Sequence, residues 1–340
     1  MCVNWPVIEA AGDEVASRRA AQRLWSIMRT SPPETGRSDI YRLVDAHLQP
    51  KASARRSPIV DVLLGASPVE HTPRALIRHD VDSWRGMEQW QQCEEKTGLT
   101  GVYLLRAPVP ESARLDDGST ASYPTAPPDY DVEDAAVREW ASAALARGCQ
   151  VGLHYGSARP QIVRAESRRL RDALGLTGPL PASAHWLQSS GLTLCTLDEL
   201  GFGWDFSLMD FLSYAVEPIP PDQPRHPGFL TGTTHPHLLW DSQREDWLNL
   251  LAVPGGLEEV FVAGECPTPP TLEDIDAYIE HFRRHHGVIV LLWHSHRFDL
   301  LEHLERLVDR LRGRDFTFVT AADLSLPITR APDSVFDPRA

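Results

Sequence analysis

Arg74-Ala75-Leu76-Ile77-Arg78-His79-Asp80-Val81-Asp82-Ser83-Trp84 is an apolar run that ends abruptly in imidazole and carboxylate. On an extended chain alternate side chains share a face, so Asp80 and Asp82 point to the same side, and where the strand gives way to a loop both can converge on one centre. Folds built on parallel strands place their active sites at the carboxyl ends of those strands. A plainer use of the same residues has Asp80 capping the next helix and Asp82 starting a turn.

Working outward from this stretch, short apolar runs alternate with helical segments, which is the rhythm of a β/α succession. Strands are expected at Ala75–Ile77, Val102–Leu105, Gln150–His154, Ser183–Trp186, Gly203–Phe206, Val260–Val262, Val288–Trp293 and Phe316–Val319. Helices are expected at Gly86–Thr97, Val132–Ala146, Gln161–Leu174, Leu194–Leu200, Leu272–His285 and Leu300–Leu311. The run VIVLLW does not alternate, as in strands covered on both faces. Upstream, Val15, Ala21, Leu24, Trp25 and Met28 fall at helical spacing, and a second helical stretch runs from about Ser38 to Leu48. Residues 1–70 therefore read as a helical N-terminal extension, 71–330 as the principal α/β unit and 331–340 as a tail. Val216 to Trp247, rich in Pro, Gly and His and without a period, reads as a long irregular segment forming one wall of a site.

Three more strand ends carry imidazoles. QVGLHYG delivers His154, PASAHWLQSSG delivers His185 beside Trp186, and GVIVLLWHSHRF delivers His294 and His296. A single histidine at such a place is commonly a structural hydrogen-bonder or an aromatic-lined core residue. Two at the mouth of the most hydrophobic strand are harder to explain by packing. Asp and His donors together suit a borderline divalent cation, Zn²⁺ foremost, with a position left for water.

Composition narrows the classes. The 340 residues carry a net charge of -14 and only two lysines, Lys51 and Lys96, which argues against a nucleic-acid binder. Five cysteines, Cys2, Cys93, Cys149, Cys195 and Cys266, are odd in number and never spaced as C-x-x-C, so neither a disulfide framework nor a thiolate metal site is expected. The N-terminal residues lack the basic start and apolar run of a secretory signal, and no stretch reaches the length of a membrane span; a cytoplasmic protein is expected. A G-x-S-x-G elbow, a Walker loop and a dinucleotide fingerprint are all missing, which removes the residues of serine hydrolases, nucleotide-cleaving enzymes and Rossmann dehydrogenases.

The order of the four strand-end motifs resembles the polysaccharide deacetylase superfamily (NodB-like, carbohydrate esterase family 4), especially its divergent branch beginning with H-D-V-D, from about Arg74 to Leu324. The resemblance implies a distorted (β/α) barrel of about seven strands. It implies Asp80 as catalytic base, Asp82 and His154 as metal ligands and His294 as catalytic acid; a further motif resembles GFGWDFSL with Asp205. Two departures stand out. The histidine that usually follows four positions after the first is Ala158, so His185, at the next strand end, is taken as the third ligand. The arginine of the third motif is absent, with Ser183 where it would stand. His79, Trp186, Asp205 and His296 are expected at the substrate. The implied activity is metal-dependent removal of an acetyl or similar acyl group from an amino sugar or sugar-containing metabolite. The implied partner is a small-molecule or oligosaccharide substrate, with neither nucleic acid nor membrane. Hydrolysis of another C–N bond, as in a formamide or cyclic amide, and non-catalytic carbohydrate binding stay open as alternatives.

Overall fold

In the computed structural model the decisive stretch forms β1, Arg74–Val81, whose eight residues are almost all buried. The structure describes residues 72–123, 125–185, 189, 191–208, 236–241, 246–264, 271–284 and 287–324. The expected helical extension over 1–70 and the tail over 331–340 lie outside these residues. After β1 come α1 (Met87–Thr97), β2 (Val102–Leu105), α2 (Ala135–Ala146), β3 (Gln150–Tyr155), α3 (Pro160–Leu174), β4 (Pro181–Ala184) and α4 (Gly191–Glu199). Then follow β5 (Trp204–Asp205), β6 (His237–Asp241), β7 (Asp246–Ala252), β8 (Leu257–Glu258), α5 (Glu259–Val262), α6 (Leu272–Arg284), β9 (Val288–His294), α7 (Leu301–Arg312) and β10 (Thr317–Phe318).

The strands join one sheet in the order β6-β7-β5-β4-β3-β2-β1-β9-β8, with β10 also pairing to β1. Every ladder is parallel except the β6–β7 hairpin. Five strand spacings separate β7 from β1, which in a flat sheet would be about 24 Å. Yet Leu251 of β7 packs in one cluster with Leu76 of β1, Leu104 of β2 and Val290 of β9. The sheet must therefore curl, and Arg78 of β1 spans the interior to donate from Nη1 to the Phe206 carbonyl at 2.8 Å. No ladder joins β7 to β8 among the described residues, so the result is the distorted (β/α) barrel that was expected, open along that seam.

Alternation along β1 sets what faces where. Leu76 points into the barrel, while Ala75 and Ile77 point outward against Trp90 of α1, Phe282 of α6 and Leu304 of α7. Helix α7 buries Leu304, Leu307, Val308 and Leu311, spaced 3, 4 and 7 apart, and leaves Glu302, Arg306 and Arg310 on its other side. Each such side chain contributes roughly 1.5–3 kcal/mol by leaving water.

Two expectations need correction. Val260–Val262 lies in the short helix α5, and the strand there is Leu257–Glu258 just before it. The segment Val216 to Trp247 is not wholly irregular, since β6 and the start of β7 fall inside it as a hairpin. Among the described residues no helix is long and apolar enough to cross a membrane.

Candidate metal centre and its acid–base flank

Parallel registration brings the strand ends to one level. Asp80 sits opposite Leu104 of β2 and opposite His294, the last residue of β9; His154 sits opposite Ser183 of β4, two residues before His185. From these ends Asp82, His154 and His185 converge. His185 Nδ1 lies 3.1 Å from Asp82 Oδ1 and 3.1 Å from His154 Nε2, and His154 Nε2 lies 3.5 Å from Asp82 Oδ1. His154 Nδ1 faces the Ser183 carbonyl at 3.3 Å, which assigns the proton to Nδ1 and leaves the Nε2 lone pair turned to the cluster.

These distances suit a cation. Bonds of 2.0–2.1 Å in tetrahedral array put neighbouring ligand atoms about 3.3 Å apart. Asp82 Oδ1 is moreover a buried oxygen that accepts no hydrogen bond among the described residues, in a cluster of two imidazoles with a second carboxylate close by. The donor set of one carboxylate oxygen and two imidazole nitrogens fits a divalent ion of the zinc type.

Charge at the cluster is polarised. Burial opposes ionisation of Asp82, but the facing imidazoles of His185, His154 and His294 outweigh it and hold the carboxylate well below its usual range. Burial pushes the His154 pKa down to about 4, so this imidazole is neutral, as a ligand must be. Asp80 is likewise held ionised. Burial works against it, and the Arg78 guanidinium prevails through a two-point contact, Nε to Oδ1 at 2.7 Å and Nη2 to Oδ2 at 2.5 Å. Asp80 Oδ2 lies 3.6 Å from His154 Nε2, which places a second carboxylate at the edge of the cluster.

On the opposite flank, His294 faces Asp82 through Nε2 at 3.9 Å and hydrogen-bonds Glu259 through Nδ1 at 2.6 Å. Burial lowers the imidazole pKa, but Glu259, Asp80 and Glu258 outweigh that effect and raise it to about 10. His294 is accordingly a cation at neutral pH. Ser295 ties the two flanks together: its N–H donates to the Asp80 carbonyl at 3.1 Å, its hydroxyl to the Ser83 carbonyl at 2.6 Å, and its own carbonyl accepts from Trp90 Nε1 at 2.9 Å. The loop after Asp82 is pinned further by Asp129, which accepts from Ser83 Oγ and from the Trp84 N–H at 2.7 and 2.6 Å.

The sequence-derived set is thus only partly assembled. Asp80, Asp82, His154, His185 and His294 come together. His296 is exposed at the rim, its ring 5.6 Å from that of His294. His79 does not join them: it lies on the outward face of β1, fully buried beneath α1, where Nε2 meets Glu94 Oε1 at 3.0 Å and the ring stacks on Tyr103. Asp205 is fully buried too, and its oxygens accept from the Ser207 N–H and hydroxyl inside the barrel. Trp186 lies outside the described residues. Sequence reasoning missed Arg78, whose guanidinium holds both oxygens of Asp80. Its signal was present, since residues two apart on a strand share a face. It also missed Glu258 and Glu259, hidden by the misplaced strand.

No family model and no curated protein matches the chain. Solved structures that resemble it include the chitin deacetylase from the fungal pathogen Colletotrichum lindemuthianum, at 11% identity and a TM-score of 0.43, covering 77% of this chain and 90% of that one. Another is the Bc1960 peptidoglycan N-acetylglucosamine deacetylase, at 10% identity and a TM-score of 0.42, covering 74% and 87%. A third is a BA3943 mutant described as a CE4 family pseudoenzyme, at 11% identity and a TM-score of 0.40, covering 75% and 67%.

Proposed function

We propose that this protein is a metal-dependent hydrolase that removes an acetyl or similar acyl group from the nitrogen of an amino sugar or a sugar-containing metabolite. The observation that carries the reading is the meeting of Asp82 Oδ1, His154 Nε2 and His185 Nδ1 within 3.5 Å of one another, with an ionised carboxylate on one side and a cationic imidazole on the other.

Asp82, His154 and His185 would hold the ion. A divalent cation of the zinc type, when bound, would supply Lewis acidity there toward an acyl carbonyl and water. The chain's own residues do the rest. Asp80 accepts the proton that the attacking water gives up as its oxygen bonds to the acyl carbon. Arg78 fixes Asp80 in place by its two-point contact and keeps it ionised until that moment. His294 delivers its proton to the nitrogen as the C–N bond breaks, so that an amine leaves in place of an amide anion. Glu259 orients His294 and keeps it charged. One proton enters at Asp80 and one leaves from His294, and exchange with solvent restores both.

The test is release of acetate from N-acetylglucosamine oligomers by the zinc-loaded protein. The wild type should turn over and Asp80→Asn should not, with metal content near one per chain in both. Equal turnover by the two proteins would remove Asp80 from the role of base.

A further inference from the structure

Glu258 is a carboxylate without an assigned task. It lies in β8 opposite Leu292 of β9, and Leu292 in turn lies opposite Arg78 of β1. Its neighbour Leu257 packs outward with Leu291, so alternation turns the Glu258 side chain inward. There one oxygen each of Glu258 and Glu259 and a ring nitrogen of His294 lie within 4.8 Å of one another. Glu259 is committed to His294 at 2.6 Å. Glu258 makes no hydrogen bond or ion pair among the described residues and keeps part of its surface open.

A mostly buried carboxylate is stable only with a donor to face, and one left unpaired costs free energy that a ligand can recover. Burial and the charge of Glu259 push the Glu258 pKa up to about 7, which marks how poorly the free protein solvates it. The donor that arrives is set by the neighbour. His294 must stand within hydrogen-bond reach of the nitrogen it protonates, and Glu258 faces the same interior from the strand paired with that of His294. An amide nitrogen carries an N–H before cleavage and becomes an amine, then an ammonium, after it. An ester oxygen carries no hydrogen while the acyl group is attached and gains one only on leaving.

Resting on the amide-hydrolase reading above, we infer that Glu258 is a specificity residue that accepts the N–H of the scissile group and thereby selects N-acyl over O-acyl substrates. A site built to pair with a donor rejects the analogue that lacks it, because its own group is then left unpaired.

The experiment compares kcat/KM of the zinc-loaded wild type, Glu258→Ala and Glu258→Gln on N-acetylglucosamine oligomers and on p-nitrophenyl acetate. Glu258→Ala should lose about tenfold or more on the amide while the ester rate stays within about twofold, and Glu258→Gln, which retains an accepting oxygen, should recover part of the loss. A parallel fall on both substrates, or no fall on the amide, overturns the inference. A second measurement does not depend on turnover: calorimetric affinity for glucosamine should weaken in Glu258→Ala while that for 2-deoxyglucose, which has no donor at that carbon, does not. Equal weakening for both sugars overturns it. So does a second equivalent of zinc bound by the wild type and lost in Glu258→Gln, since the carboxylate would then belong to a cation. Absence of acetate release together with Glu258-dependent glucosamine binding would count against the hydrolase reading while leaving Glu258 as the amine receptor.

Discussion

Arg78 and Asp80 stand two residues apart on one strand and clasp each other through two parallel hydrogen bonds inside the barrel. The guanidinium is fully buried and also reaches the Phe206 carbonyl, so it joins the Asp80 carboxylate to the opposite wall. Breaking a buried pair by removing one partner costs about 3–5 kcal/mol, because the remaining charge is stranded. Arg78→Ala should unfold by heat well below the wild type. Arg78→Lys, which keeps the charge but loses the fork, should retain the fold and lose tenfold or more in kcat with KM little changed. Unaltered kcat in Arg78→Lys would show that the two-point contact does not serve Asp80.

The acid flank gives a pH prediction. The His294 pKa is raised, so the protonated form persists below about 10 and is lost above it. The rate should therefore fall on the alkaline side near that value. Glu259→Gln removes the main raising influence, and the alkaline limb should move down toward the ordinary histidine range. A limb that stays in place in this variant would assign it to another group.

Asp205 gives a stability prediction of opposite character to a surface carboxylate. Burial raises its pKa to about 7 against the hydrogen bonds from Ser207, so the folded state holds a proton that the unfolded state has released. Its contribution is fully present below the unfolded value near 4 and is lost as pH rises through 7. Wild type should thus lose melting temperature between pH 5 and 8 relative to Asp205→Asn, in which this difference is absent. Identical pH profiles of melting for the two proteins would refute the assignment.

Gly86 precedes α1 with φ +85°, a conformation costly for any residue with a Cβ. A Cβ there would also collide with the Ser295 carbonyl and the Phe298 ring. Gly86→Ala should destabilise by at least ~1 kcal/mol and, by pushing Ser295, loosen His294 against Asp80. Chemical denaturation read beside kcat checks both effects at once.

Much of this architecture is legible in the residues, and the failures are physical. The apolar runs of β1, β3 and β9 and the amphipathic spacing of α3 and α7 announce themselves, because burial on a fixed period leaves few other solutions. His79 was misplaced by adjacency: next to Asp80 in the chain, it is a half-turn of the pleat away and faces α1. Alternation alone would have put Arg78, not His79, beside Asp80. The hairpin β6–β7 escaped notice because its strands sit amid Pro, Gly and His, whose composition speaks of loops. Glu258 and Glu259 were passed over because the apolar letters after them suggested a strand, and a two-residue strand followed at once by a helix has no period to detect. His185, taken from the residues as the alternative to Ala158 because it stands at the next strand end of a parallel sheet, does meet Asp82 and His154.

The central claim is that Asp82, His154 and His185 grip one cation, and equilibrium zinc titration of the wild type against His185→Ala measures it most directly. One tight site per chain is expected, weakened about 100-fold or more when His185 is removed. Zinc bound with equal affinity by both proteins, or by neither, would contradict it.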